Sequence, residues 1–148
     1  MAPKEYLEQH VELTAFEKQI LDALTEGSHA ALRTLRSQVA ASDVVDRELT
    51  GAGCYTELRV DPSVPSLEGA KETCCFGDVH ADMDGVIAGA GFLLWLERGR
   101  VASLESYTYG EERWPDQPRL LRWRHQYDEH TRAQMLLRQC ITRDDAAP

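Results

Sequence analysis

The chain contains none of the short motifs that identify common enzyme classes. No Walker A loop, dinucleotide-binding fingerprint, H-E-x-x-H or G-x-S-x-G sequence occurs in its 148 residues. There is also no C-x-x-C pair among its four cysteines, which argues against a zinc ribbon and a redox dithiol. Without a complete catalytic set, the sequence favours a protein that acts by binding and needs no cofactor.

Long apolar runs and an excess of basic residues are also missing. No stretch approaches the roughly 18 apolar residues of a membrane span, and residues 1–10 hold no apolar core of a signal peptide. We therefore expect a cytoplasmic protein whose cysteines are reduced, buried thiols. The net charge of −9 disfavours nucleic acid as a partner and suits docking onto a basic protein.

The charge is unevenly distributed along the chain. Residues 1–118 carry 10 Lys and Arg against 21 Asp and Glu, whereas residues 119–148 carry 6 Arg against 4 acidic residues. We therefore predict an α+β domain over residues 1–118 and an Arg-rich helical extension over residues 119–148. The extension either packs on that domain or projects from it.

The segment Val86–Tyr109 has the clearest structural pattern and predicts a β-hairpin. Arg98-Gly99 is expected to form the tight turn, because glycine accommodates a positive φ. The apolar run Phe92–Leu96 indicates a strand that is buried on both faces. Residues 101–108 alternate between apolar and polar, as in a strand with one buried face.

Helix signals flank this β-rich middle. Thr14 followed by Glu17 predicts a capping box, Gly27 a helix end, and Ser28 or His29 the start of a second helix. Strands are expected over Val44–Val60, with a bulge or bend at the glycines, and over 71–83. One broken or two short helices should follow residue 119. The predicted fold is α+β, with two N-terminal helices on an antiparallel sheet of about four to five strands and a C-terminal helix.

The acidic stretch Gly77–Gly85 is the sharpest candidate for chemistry. In an extended strand, Asp78, His80, Asp82 and Asp84 would all project from one face. Carboxylates and imidazole can bind Zn²⁺, Mn²⁺ or Fe²⁺, and Gly-Asp-x-His resembles a motif of binuclear metallophosphoesterases whose other motifs are absent. The alternatives are a metal site of Asp78, His80 and Asp82, an acidic docking strip, or a polar, solvent-facing strand edge.

Aromatic and acidic residues also surround the irregular segment 111–118. Tryptophan is a favoured anchor at protein interfaces, although core packing beneath the loop is an alternative. An interface at this end of the sheet predicts a set of partner-binding residues: Asp78, Asp82, Asp84, Glu111, Glu112 and Trp114.

Several runs resemble a widespread group of small bacterial proteins of unassigned function. They are Arg47–Gly53, Gly77–Ala81, Gly89–Phe92 and Leu104–Gly110, within a resemblance that covers residues 13–115. It implies an α+β domain and carries over no catalytic residue.

Small acidic proteins of this size are common as immunity proteins against interbacterial toxins. We therefore predict a non-enzymatic, immunity-type inhibitor that occludes the active site of a basic toxin. The alternatives are a small metal-dependent hydrolase and an anti-defence inhibitor from a mobile element.

Overall fold

The computed structural model describes residues 12–142, which form three helices and seven strands. The helices are α1 (Ala15–Leu24), α2 (Ala30–Ala40) and α3 (Glu129–Cys140). The strands are β1 (Ser42–Leu49), β2 (Gly53–Val60), β3 (Thr73–Phe76), β4 (Val79–Met83), β5 (Val86–Glu97), β6 (Arg100–Thr108) and β7 (Leu120–His125). Within this range, no helix is long and apolar enough to cross a membrane.

The strands form one antiparallel sheet in the order β1-β2-β6-β5-β4-β7, and β3 pairs with β5 alongside this path. The predicted α+β class is confirmed, but the predicted number of strands is too low. The expected strand over residues 71–83 is divided at Gly77-Asp78, and residues 120–125 form β7 instead of a helix. Pairing with the free edge of β4 overrides the helical pattern of this segment.

The predicted hairpin of β5 and β6 is confirmed. Arg98 (φ 52°) and Gly99 (φ 81°) form the two-residue turn, the conformation that matches strand twist in tight hairpins. The prediction that β5 is buried on both faces is wrong. On one face Phe92, Leu94 and Leu96 are at most 2% exposed, whereas on the other Leu93 and Trp95 are only half-buried. The helices cover one face of the sheet, and no helix of the described part of the chain covers the other face, which we call the open face.

Local capping explains where the N-terminal helices begin. Thr14 and Glu17 form the predicted capping box of α1, and the His29 side chain accepts a hydrogen bond at the start of α2. Helix α1 ends at Leu24, before the predicted stop at Gly27. Both helices and α3 pack their apolar sides on the sheet, where Phe16 meets Phe92 with ring centroids 6.0 Å apart.

The extension predicted from residue 119 contributes β7 to the main sheet and α3 beside β3. Its last residues, 143–148, lie outside the part of the chain that the structure describes. Residues 50–52, with Gly51 at φ 87°, form a hairpin turn between β1 and β2 in place of the predicted bulge or bend, and Gly53 begins β2. Gly53 lies so close to the backbone of Ser106 that no side chain fits there.

A disulfide joins Cys74 of β3 to Cys140 at the end of α3, with their Cα atoms 5.4 Å apart. The prediction that all four cysteines are reduced is therefore wrong for this pair. The two residues are 66 positions apart, so sequence spacing alone could not reveal that α3 docks beside β3. Disulfides persist mainly in oxidising compartments, and the cytoplasmic location stays a prediction.

Thiol titration provides a direct test of this pairing. Protein purified without reductant and unfolded in denaturant should show two free thiols per chain, those of Cys54 and Cys75. After reduction, all four thiols should react. Four reactive thiols before reduction would contradict the Cys74–Cys140 bond.

Glu17 links α1 to the sheet through a partly buried ion pair. Its carboxylate accepts hydrogen bonds from Arg47 at 2.8 and 2.9 Å and from the Thr56 hydroxyl at 3.0 Å. Burial alone would raise the pKa of Glu17, but the hydrogen bonds from Arg47, the Thr14 backbone and Thr56 outweigh burial, so this pKa lies below its ordinary value. The ionised form is therefore the one that stabilises the fold.

Replacing Glu17 should have an effect that depends on pH. Glu17→Gln should lower the free energy of unfolding by about 2 kcal/mol near neutral pH, because Arg47 would lose its partner. Folding lowers the pKa of Glu17 below its ordinary value of 4.5. The stabilisation by the Glu17 carboxylate is therefore complete at pH values above 4.5, and it is lost as the pH falls through the lowered pKa of the folded protein. Urea denaturation at neutral and strongly acidic pH measures this difference. The exposed control Glu68→Gln should change little at either pH, and an equal loss for Glu17→Gln at both would contradict the assignment.

Candidate binding face on the open side of the sheet

The face of the sheet opposite the helices carries the side chains that alternate with the core residues. On β2 these include Tyr55 and Glu57, and on β6 they include Ser103 and Glu105. The strand register sets Tyr55 opposite Glu105 and Glu57 opposite Ser103. The register between β5 and β6 adds Trp95 beside Ser103. Aromatic, acidic and hydroxyl groups therefore lie together on one open surface.

A groove of about 530 Å³ runs across this face. We call it the acidic groove, and the residues that define it are Glu48, Tyr55, Glu57, Trp95, Glu97 and Ser103. The three carboxylates are exposed, and within residues 12–142 none of them has an ion-pair partner within 4.0 Å. The groove therefore presents negative charge that the fold itself does not neutralise.

Glu105 holds the indole ring of Trp95, which lines the acidic groove. The indole Nε1–H of Trp95 donates to Glu105 Oε1 at 2.9 Å. The Glu105 carboxylate, which lies opposite Tyr55 in the register of β2 and β6, raises the pKa of Tyr55. The Tyr55 hydroxyl is therefore protonated at neutral pH, and the ring that Glu105 holds by a hydrogen bond is the indole of Trp95.

Ser103 adds an unused hydrogen-bonding group to the groove. Its hydroxyl oxygen is enclosed, and in the described part of the chain it has no hydrogen-bond partner. Buried hydroxyl groups almost always have a partner. Because Ser103 lines the acidic groove, a ligand that enters the groove can supply this missing partner when the side chain rotates toward it.

A second cluster on the open face surrounds His80. The pKa of Tyr109 is raised to about 12, mainly by burial and to a smaller extent by the nearby Tyr107. The Tyr109 hydroxyl is therefore protonated and donates to Nδ1 of His80. The other ring nitrogen, Nε2, then carries the proton and donates to Gln126 Oε1 at 3.0 Å. Gly91 makes room for this cluster, because a Cβ there would lie 2.6 and 2.7 Å from the hydroxyls of Tyr109 and Tyr107. Both nitrogens of His80 are thus engaged within the protein.

The structure does not bring the predicted acidic residues to one face. Asp78 lies in the break between β3 and β4, on the helix side, where it is 7% exposed and bonds to Arg132 at 3.1 Å. Asp84 lies in the turn after β4, so only His80 and Asp82 share the open face. The prediction that all four side chains share a face is wrong because β4 contains only residues 79–83. Asp78 and Asp84 lie outside this strand, so they do not follow its alternation of side chains between the two faces.

The predicted metal ligands Asp78, His80 and Asp82 do not converge. Asp82 is paired with Arg122 of the neighbouring β7, and Asp78 is held by Arg132. Among the residues described, no group of three or more His, Cys, Asp or Glu side chains is arranged to hold a metal ion. The alternative of a metal-dependent hydrolase therefore lacks its predicted ligand set.

The remaining predicted contact residues lie near the loop after β6. Trp114 is 8% exposed, and its ring packs edge-on against Phe92 with the ring centroids 6.4 Å apart. Trp114 is therefore part of the core, which was the alternative to an interface anchor. Glu111 is exposed, whereas Glu112 accepts a hydrogen bond from the backbone of Ile87 at 3.1 Å. The predicted interface therefore loses its aromatic anchor at this end of the sheet.

Sequence reasoning missed the residues of the acidic groove. The one signal in the sequence was the alternation that places Ser103, Glu105 and Tyr107 on the same face of β6. What the sequence did not reveal is that β2, β5 and β6 are neighbours with one face left open. That arrangement brings Glu57 and Trp95 to the same place.

Arg132 is the side chain that holds Asp78, and its removal should be costly. Arg132→Met should lower the free energy of unfolding by about 3–5 kcal/mol, because a buried carboxylate would lose its cation. Arg138→Met, an exposed change on the same helix, should stay within about 0.5 kcal/mol. Chemical denaturation of both variants measures the difference, and equal small effects would contradict the assignment.

Comparison of the chain with models of protein families, with curated proteins and with solved structures gave no match. The resemblance to a group of small bacterial proteins therefore stays a prediction. What the molecule does has to be argued from its own charges, contacts and open surfaces.

Proposed function

We propose that this chain is a non-enzymatic binding protein that docks onto a basic protein through the open face of its sheet. The observation that carries the proposal is the acidic groove, in which Glu48, Glu57 and Glu97 have no ion-pair partner within residues 12–142. Complementary charge steers association and sets the choice of partner. Trp95 and Tyr55 add the aromatic residues that anchor many interfaces.

Binding fits the open face better than catalysis does. A nucleophile needs a base within hydrogen-bond reach and a group that orients the base. His80 is oriented by Gln126, but its other nitrogen meets the hydroxyl of Tyr109, whose pKa is raised to about 12, first by burial. A hydroxyl with that pKa is a poor source of a nucleophile at neutral pH. The cluster is therefore better suited to holding β4, β6 and β7 together.

The narrower form of this proposal is the immunity-type inhibitor predicted from the sequence. An acidic sheet face of this kind would lie across a basic active-site cleft of a toxin and keep its substrate out. A standard interface buries about 800 Å² on each partner. The groove would form the centre of such an interface, and the exposed residues around it would form the rim.

Charge reversal on the open face tests the proposal. Immobilised wild-type protein should retain a basic partner from an extract of the native host, and high salt should weaken the retention. Glu57→Lys with Glu97→Lys should reduce it at least about tenfold, because two attractive contacts become repulsive. The control Asp22→Lys with Asp116→Lys makes the same charge change at exposed residues outside the groove and should leave retention intact.

Two results would count against the proposal. One is a partner that the groove variant retains as well as the control variant does, which would move the interface elsewhere. The other is the absence of any retained basic protein at low salt. Circular dichroism of both double variants confirms that the comparison is made between folded proteins.

A further inference from the structure

We infer that the acidic groove is a recognition pocket for an arginine side chain of the partner, whose guanidinium group stacks on Trp95. This inference rests on the proposed function and deepens it, since it names the group that the open face recognises. Three features of the groove carry it: a fixed indole ring, and, within residues 12–142, carboxylates without an ion-pair partner and a hydroxyl without a hydrogen-bond partner.

The Trp95 ring is held in place before any ligand arrives. Its Nε1–H donates to Glu105 Oε1, and its strand neighbours are Cys75 on β3 and Ser103 on β6. The ring is half-buried and lines the groove. A planar guanidinium that stacks on such a ring gains both cation–π attraction and contact area. A preoriented ring also loses little conformational entropy when the ligand binds.

The carboxylates are free to receive the N–H groups of a guanidinium. Glu57 lies opposite Ser103 in the register of β2 and β6, and Glu97 ends β5 at the same groove. The cations nearest to Glu97 along the chain are engaged elsewhere. Arg98 pairs with Glu72 at 3.7 Å, and Arg100 donates to backbone carbonyls of the loop after β2. Within residues 12–142 the carboxylates of the groove have no ion-pair partner, so they can pair with a cation that a partner protein supplies.

The Ser103 hydroxyl distinguishes a guanidinium from a simple ammonium ion. Arginine presents five N–H donors in a fixed plane, so it can stack on a ring, bridge to a carboxylate and still donate to the Ser103 hydroxyl once that side chain rotates into the groove. A lysine ammonium is a compact point charge and does not offer this flat fork. The groove of about 530 Å³ also leaves room for the side-chain stem and adjoining backbone of the partner.

Two peptides of equal length and charge provide the test. One carries arginine and the other carries lysine at the same positions in a Gly/Ser background, and calorimetry measures both affinities with the full chain. We expect the arginine peptide to bind about three- to tenfold more tightly, as stacking and the extra hydrogen bond predict. The indole N–H resonance of Trp95, assigned with Trp95→Phe, should shift with the arginine peptide.

Matched variants separate the pocket from general charge attraction. Trp95→Leu and Ser103→Ala should each reduce the preference for arginine while lysine-peptide affinity stays within about twofold. Trp123→Leu, a change at an exposed tryptophan outside the groove, should leave the preference intact. Ser103→Ala is a small change that leaves the fold in place.

The possible failures of the inference and of the proposed function are distinguishable. If the two peptides bind with equal affinity, and Glu57→Gln and Glu97→Gln weaken both, the groove does not select arginine. The proposal that the groove binds a basic partner would then still hold. If neither peptide binds at low salt and the basic partner is not retained either, both ideas fail. An arginine preference that survives Trp95→Leu would overturn the stacking geometry.

Discussion

The guanidinium of Arg132 is the contact on which the arrangement of helices and sheet depends. It bonds to Asp78 at 3.1 Å and donates to the carbonyls of Glu26, Ala23 and Leu24 at 2.7 to 3.1 Å. One buried cation thus completes the C-terminal end of α1, where unpaired carbonyls concentrate negative charge. It also ties α3 to the break between β3 and β4. The Cys74–Cys140 bond joins the far end of α3 to β3.

Placing all three helices on one side of the sheet has a direct consequence for function. Among residues 12–142, no layer covers the side chains that alternate with the core residues of β2, β5 and β6, and these side chains form the acidic groove. Cross-strand pairing then makes a site from residues that are distant in sequence, such as Glu57 and Trp95. The groove is acidic because the carboxylates that line it are not paired within the described residues, whereas Asp78, Asp82 and Glu17 each have an arginine partner.

Local rules predicted the elements whose structure is set by neighbouring residues. The capping box at Thr14 and Glu17 and the turn at Arg98-Gly99 depend on a few consecutive positions, and both predictions are confirmed. Non-local pairing decided the rest. Residues 120–125 form a strand because β4 has an edge with which they can pair. Asp78 faces the helices because the extended strand is interrupted at Gly77-Asp78. Trp114 is buried because Phe16 and Phe92 pack against it.

The sequence by itself determined the α+β class, the acidic balance, the N-terminal helices and the central hairpin. These follow from composition, apolar spacing and capping, which act over a few residues. The tertiary structure alone decided which acidic side chains are neutralised, which cysteines meet and which face of the sheet stays open. Each of these outcomes depends on contacts between residues tens of positions apart, and hydrophobic spacing along a chain does not encode which strand edges pair.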